Sequence, residues 1–331
     1  MRTIIISKLL KFNYVSLYIV FISWFIAVSS RLVKSGTVYG LNFGLFHPDG
    51  INYLKLTQDI TNLSFQTSTI YAWSRPLYPA ASVPFYMLFG KYGMLVVPIL
   101  SLITLGVIFI FFGKNKNDQR ILAICFLVLT SSSTVLRWTV ADLTDSLHLT
   151  LFALCCLGIY KNWSFRTLAI IIVFGATTRP MGPVWAALFI PFLIRETDRS
   201  KKAYFYLALI SIFLFLVNTS LMASFGGFAP NPKPLFSQFA AVPRNFFVIL
   251  FVEFGQLAVL DRLLFYTVLL TLCLAILNYR DMWSLIHINV SFACFLISAW
   301  VGVWGVNFRY ELPLLITGSL VVLRKFNSRV R

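Results

Sequence analysis

The sequence predicts an all-α polytopic membrane protein, and three observations predict it. Hydrophobic residues make up 59% of the 331 residues, against roughly 45–50% in soluble domains. Charged residues make up 12%, about half the usual ~25%. The apolar residues come in unbroken runs near the length of a membrane span, whereas the strands of an outer-membrane barrel would alternate apolar and polar residues. A globule of this size has too little interior to hide so much apolar surface. A soluble enzyme, a disulfide-stapled secreted domain, a disordered tail and a barrel are therefore excluded.

The runs read as ten spans: Tyr14–Val28, Met94–Phe112, Ile121–Val135, Leu147–Tyr160, Leu168–Thr177, Met181–Ile194, Ala203–Met222, Leu263–Leu277, Leu285–Gly305 and Leu312–Leu323. Two further apolar stretches, Leu77–Gly90 and Phe246–Leu260, are ambiguous. Arg2, Lys8 and Lys11 precede the first span and mark that end as cytoplasmic, since cytoplasmic loops carry the excess of Lys and Arg. With ten spans both termini are cytoplasmic, and 17 of the 28 basic residues fall inside. The two ambiguous stretches are then expected to lie on, or dip into, the outer face. The long outer loops are residues 29–93 and 223–262 of a single transmembrane domain, 1–331, with no soluble domain. The first span reads as an uncleaved anchor.

The net charge of +17 sits in short loops, which makes it a topology signal rather than a nucleic-acid footprint. The five cysteines all fall inside apolar runs without paired ligand spacing, and read as inert buried thiols.

Of the 11 acidic residues, four sit among lysines and arginines in cytoplasmic loops. The other seven lie outside or at outer span ends, with Arg75, Arg137, Arg179 and Arg309. A charge at bilayer depth costs roughly 2.5–3.5 kcal/mol even on the lenient insertion scale. Charges gathered from distant segments at one level point to a shared polar cavity. Carboxylates with arginines there suit acid/base chemistry on a phosphate-bearing substrate.

Four segments carry the local signals. In His47-Pro48-Asp49-Gly50, Pro48 and Gly50 set a turn, and Asp49 is expected to cap a short surface helix, Ile51–Ile60, that carries Tyr53. His47 is a neighbouring candidate ligand. In Arg75-Pro76-Leu77-Tyr78-Pro79, the two prolines argue against a regular first turn. In Arg137-Trp138-Thr139-Val140-Ala141-Asp142-Leu143-Thr144-Asp145, Asp142 and Asp145 share a face if helical, with His148 three residues on. Such a face offers hard ligands to a divalent cation, Mg or Mn, and surface capping accounts for the same residues equally well. In Asn307-Phe308-Arg309-Tyr310-Glu311-Leu312-Pro313, Arg309 and Tyr310 enter the last span where a lipid phosphate would lie, or where snorkelling and aromatic anchoring would put them.

Taken in order, these segments resemble the GT-C superfamily of membrane glycosyltransferases, above all the protein O-mannosyltransferase and lipid-A aminoarabinose transferase group. Asp49 with Tyr53 looks like that group's acidic element on a juxtamembrane helix, although Gly50 stands where a second acid is common. Arg75 to Gly90 is similar to its Pro-Leu-Tyr element, Asp145 to its later span-opening acid, and Gly175 to Pro180 to its glycine-rich span end. Arg309 to Pro313 is similar to its Arg-Tyr-x-x-Pro element. The resemblance implies transfer of a sugar from a polyprenyl-phosphate carrier to a glycan, lipid or protein acceptor on the extracytoplasmic face, with inversion, in a bacterial inner or plasma membrane. It implies Asp49 as general base, Asp145 as a catalytic partner or metal ligand, and Arg75, Arg179, Arg309 and Tyr310 on the phosphate. Tyr53, Arg137, Asp142, His148, His47 and Glu311 are secondary candidates. A carrier-lipid transporter or flippase and a polysaccharide polymerase are the rival readings; neither inverted repeats nor mid-span charges favour the first.

Overall fold

In the computed structural model, the described residues are 13–33, 48–64, 75–132, 135–136, 139–141, 143–179, 181–195, 198–224, 259–301 and 312–329. They form helices joined by short turns, with no strand among them. In chain order these are α1 (Tyr14–Val33), α2 (Pro48–Asn62), α3 (Leu77–Phe89), a 3₁₀ segment (Gly90–Leu95), α4 (Val96–Phe112), α5 (Lys116–Ser131) and α6 (Asp145–Tyr160). Then follow α7 (Phe165–Thr178), α8 (Gly182–Ala187), α9 (Ile190–Arg195), α10 (Asp198–Ser224), α11 (Val259–Leu277), α12 (Met282–Val301) and α13 (Leu312–Arg329). Each of the ten expected spans has helix in it, although Met181–Ile194 is split into α8 and α9.

Helix boundaries follow local chemistry. Asn115 caps α5, its side chain accepting from the Asp118 amide at 2.8 Å, while the Asp118 carboxylate accepts from the Lys114 amide at 3.0 Å. Ser164 caps α7 in the same way through the Thr167 amide. Each cap satisfies one of the orphan amides of a first helical turn.

Two stretches among the described residues combine span length with high hydropathy, Leu77–Phe112 and Lys201–Ser220; six others are shorter apolar helices. The first is 36 residues long, yet it is not one rod. Sixteen residues of straight helix would separate Tyr78 from Met94 by about 24 Å. The Tyr78 hydroxyl instead donates to the Met94 carbonyl at 2.8 Å. The chain therefore doubles back between α3 and α4. Gly90 permits this with φ +58°, a left-handed value open to glycine. Gly93 permits it by lacking a Cβ, which would collide with the Phe85 carbonyl. The expectation that the two prolines preclude a regular first turn is corrected: α3 is helical from Leu77, with Pro76 at its N-cap and Pro79 in its first turn, where the missing N–H of proline removes no helical hydrogen bond. Phe246–Leu260 lies outside the described residues except for the start of α11.

Helix α6 is the hub. It packs against α4, α7 and α13, and its residues are buried almost throughout, His148, Phe152, Cys155 and Cys156 among them. Burial on every side explains why its sequence shows no amphipathic stripe. Helices α6 and α7 form an antiparallel hairpin whose turn brings Trp163 and Leu168 onto Gly158. The hairpin therefore sets the first turn of α6 beside the last turn of α7.

Candidate functional site

That pairing assembles the site. Asp145 opens α6 and Arg179 follows the end of α7, and the two side chains form a salt bridge. Their side chains are 0% and 3% exposed, so this is a buried ion pair, for which loss of either partner strands a charge. His148 lies one turn along α6. Its Nδ1 stands 3.5 Å from the Gly175 carbonyl and 3.4 Å from the Thr178 hydroxyl. Its ring meets Trp185 of α8 edge-on at 5.5 Å between centroids, and Phe152 closes on the same indole. Gly175 is required here, because a Cβ would strike the Trp185 ring.

A second pair comes from the first half of the chain. The Arg75 guanidinium, at the entrance to α3, donates to the Tyr53 hydroxyl of α2 at 2.9 Å. Tyr53 in turn packs edge-on against Tyr78 at 5.5 Å. The Thr57 hydroxyl of α2 reaches the Pro79 carbonyl of α3 at 3.4 Å. Helix α3 also touches α7, and Arg75 stands within electrostatic reach of the His148 ring. Tyr53, Arg75, Asp145, His148 and Arg179, distant in sequence, thus meet at one end of the bundle, and all are buried.

Several polar atoms there have no hydrogen-bond partner among the described residues: Thr144 Oγ1 just before α6, His148 Nε2 on α6, and Trp185 Nε1 on α8. Native interiors leave few such groups unpaired. Water, a polar ligand or a side chain outside the described residues is what satisfies such groups.

The structure revises one expectation at this site. The helix carrying Asp49 begins at Pro48, not at Ile51. Residue 49 therefore lies in the first turn instead of capping it, as the preference of proline for the first helical position explains. Position 49 is one turn before Tyr53, and its description covers the backbone alone. Next, α6 begins at Asp145, so only Asp145 and His148 of the proposed acidic face lie on one described helix. Asp142 is outside the described residues, as are His47, Arg137, Arg309, Tyr310 and Glu311. Among the described residues no three His, Cys, Asp or Glu side chains come together as a metal site. The Asp145 carboxylate is paired with Arg179, and the other candidate ligands, His47, Asp142 and the side chain of Asp49, lie outside the described residues.

Trp185 and Thr178 were not singled out from sequence. The signal for Trp185 is faint: a bulky aromatic in the first turn after the Arg179 element, opposite the His148–Phe152 stripe spaced one turn apart on α6.

Apolar helices around a buried ionic cluster define the class as an all-α membrane protein with a polar site at one end. The chain belongs to the family described as "Predicted membrane protein (DUF2079)", which it matches over residues 77–331. Search among curated proteins finds no match.

Proposed function

We propose that the protein is a glycosyltransferase of GT-C type. In this reading it moves a sugar from a polyprenyl-phosphate carrier to a glycan, lipid or protein acceptor at the extracytoplasmic face of a bacterial plasma membrane. Ten spans would put both termini in the cytoplasm. The observation that carries the reading is the buried meeting of Asp145–Arg179 with Arg75–Tyr53 beside His148. Within that group the guanidiniums of Arg75 and Arg179 are both buried, and forked guanidiniums suit phosphate oxygens.

The chemistry follows. The acceptor hydroxyl oxygen attacks the anomeric carbon, and its proton passes to the Asp49 carboxylate. The bond from that carbon to the phosphate oxygen breaks, and polyprenyl phosphate departs with the electron pair. A positioned base typically contributes 10²–10⁴ in rate. Arg75 and Arg179, with Arg309 and Tyr310 from the last outer segment, would balance the charge growing on the leaving phosphate. Asp145 would fix the Arg179 guanidinium in place, and Tyr53 would do the same for Arg75.

The test uses protein reconstituted in vesicles with a labelled polyprenyl-phosphate sugar and counts released polyprenyl phosphate. Asp49→Asn is expected to lower turnover at least about a hundredfold. Full turnover in correctly inserted Asp49→Asn protein overturns the base assignment. Movement of intact carrier across the vesicle, with the sugar linkage unbroken, would instead establish a flippase.

A further inference from the structure

The opposite end of the bundle carries a different arrangement. Helix α6 ends at Tyr160, about 22 Å along the axis from Asp145. Three cations from separate stretches of chain converge on the Tyr160 ring. Lys161 Nζ lies 5.2 Å from its centroid, Lys114 Nζ 5.9 Å and the Arg324 guanidinium carbon 5.9 Å. Lys114 comes from the turn between α4 and α5, Lys161 from the end of α6 and Arg324 from the last turns of α13. No two of them can be more than about 12 Å apart, close to the ~8–10 Å screening length of physiological salt. All three are exposed at the surface. Asp118 is the acidic residue within electrostatic reach of the same ring, and it is buried, with its carboxylate accepting from the Lys114 amide.

Two other basic residues at this end are tied to protein acceptors. Arg195 donates to the carbonyls of Arg280 and Tyr279, and Lys325 donates to the Asn278 side chain. Positive charge in loops sets topology wherever it falls. Nothing in that rule brings three cations onto one ring, where their mutual repulsion has to be offset. Tyr160 offsets a part through its π face and Asp118 lends negative charge nearby; an anionic ligand would add to both.

The surroundings say which anion. Phe112 and Trp283 hold the Tyr160 ring in place at 5.7 and 6.1 Å. Phe111, next to Phe112, Phe165, four residues after Lys161, and Phe326, two after Arg324, lie exposed on the ends of α4, α7 and α13. A soluble phosphate has no use for that apolar border, whereas a phospholipid has a headgroup for the cations and chains for the aromatic rim. We propose that Tyr160, Lys114, Lys161 and Arg324 form a headgroup site for an anionic phospholipid. The proposal is independent of glycosyl transfer.

The experiment compares lipid retention by native mass spectrometry. Full-length protein in detergent micelles is offered phosphatidylglycerol, cardiolipin or phosphatidylcholine. The wild type is expected to keep the two anionic lipids and release phosphatidylcholine. Lys114→Gln with Lys161→Gln should weaken anionic-lipid binding roughly thirtyfold, at the usual worth of a basic residue near a charged headgroup. Lys201→Gln with Lys202→Gln, the same loss of charge on α10, should leave it within about twofold, since those residues lie outside the site. Equal losses in the two double variants would reduce the site to general charge attraction and overturn it. So would retention unchanged in the first variant, or displacement of the lipid by millimolar inorganic phosphate. Should the double variant fold poorly, Lys161→Gln alone serves, with a smaller loss expected and unchanged retention contradicting the proposal.

Discussion

The two ends of helix α6 carry charge in opposite ways. At the Asp145 end, carboxylate and guanidiniums are sealed in the protein and held by named partners: Arg179 by Asp145, Arg75 by Tyr53. At the Tyr160 end, the cations are exposed and gather round an aromatic ring. Buried charge is expensive and survives only in precise pairing; exposed charge is cheap, and its energetics are set by salt and by what binds. The first arrangement therefore carries stability and, in the reading proposed above, chemistry, while the second is proposed to carry association alone.

The largest effect expected from that difference is at the ion pair. Asp145→Ala should destabilise the protein by about 3–5 kcal/mol, because the buried Arg179 guanidinium loses its paired carboxylate. Thermal unfolding in detergent measures it, and a change near zero would mean that Arg179 reaches another partner. Trp185→Ala comes next, at about 3–5 kcal/mol for a fully buried indole, with Gly175→Ala at about 1–3 kcal/mol from the clash with that ring. Tyr53→Phe removes one buried acceptor from Arg75 and should cost about 1–3 kcal/mol. Smallest of all, Lys114→Gln and Lys161→Gln should leave the unfolding midpoint in neutral detergent nearly unmoved, within about 0.5 kcal/mol. A large loss there would show that the cluster braces the fold.

How far this was legible in the sequence divides along similar lines. Helix content and approximate boundaries were readable because apolar runs report burial or lipid directly, and Tyr14–Val33, Asp145–Tyr160 and Met282–Val301 all follow them. Asp145, Arg179, Arg75, Tyr53 and His148 could be nominated because charge and polarity beside a membrane are costly enough to need a reason. Which one pairs with which could not. The Asp145–Arg179 bridge depends on the α6–α7 hairpin, and the seating of the Tyr78 hydroxyl on Met94 depends on the reversal at Gly90. Both are facts of three-dimensional packing. Trp185 was hidden by its surroundings, since one aromatic among 33 phenylalanines, 14 tyrosines and eight tryptophans gives no contrast. The convergence on Tyr160 was equally invisible, because positive loops are expected at that end whether or not they meet.

The pair exchange Asp145→Asn with Arg179→Met tests the central claim most directly. It removes both buried charges together, so the fold should be kept or even gain stability, and unfolding in detergent verifies that first. In vesicles supplied with labelled polyprenyl-phosphate sugar and acceptor, the account predicts a stable protein that releases no polyprenyl phosphate. Wild-type release from that variant would contradict it, leaving the ion pair as a structural brace and the chemistry somewhere else.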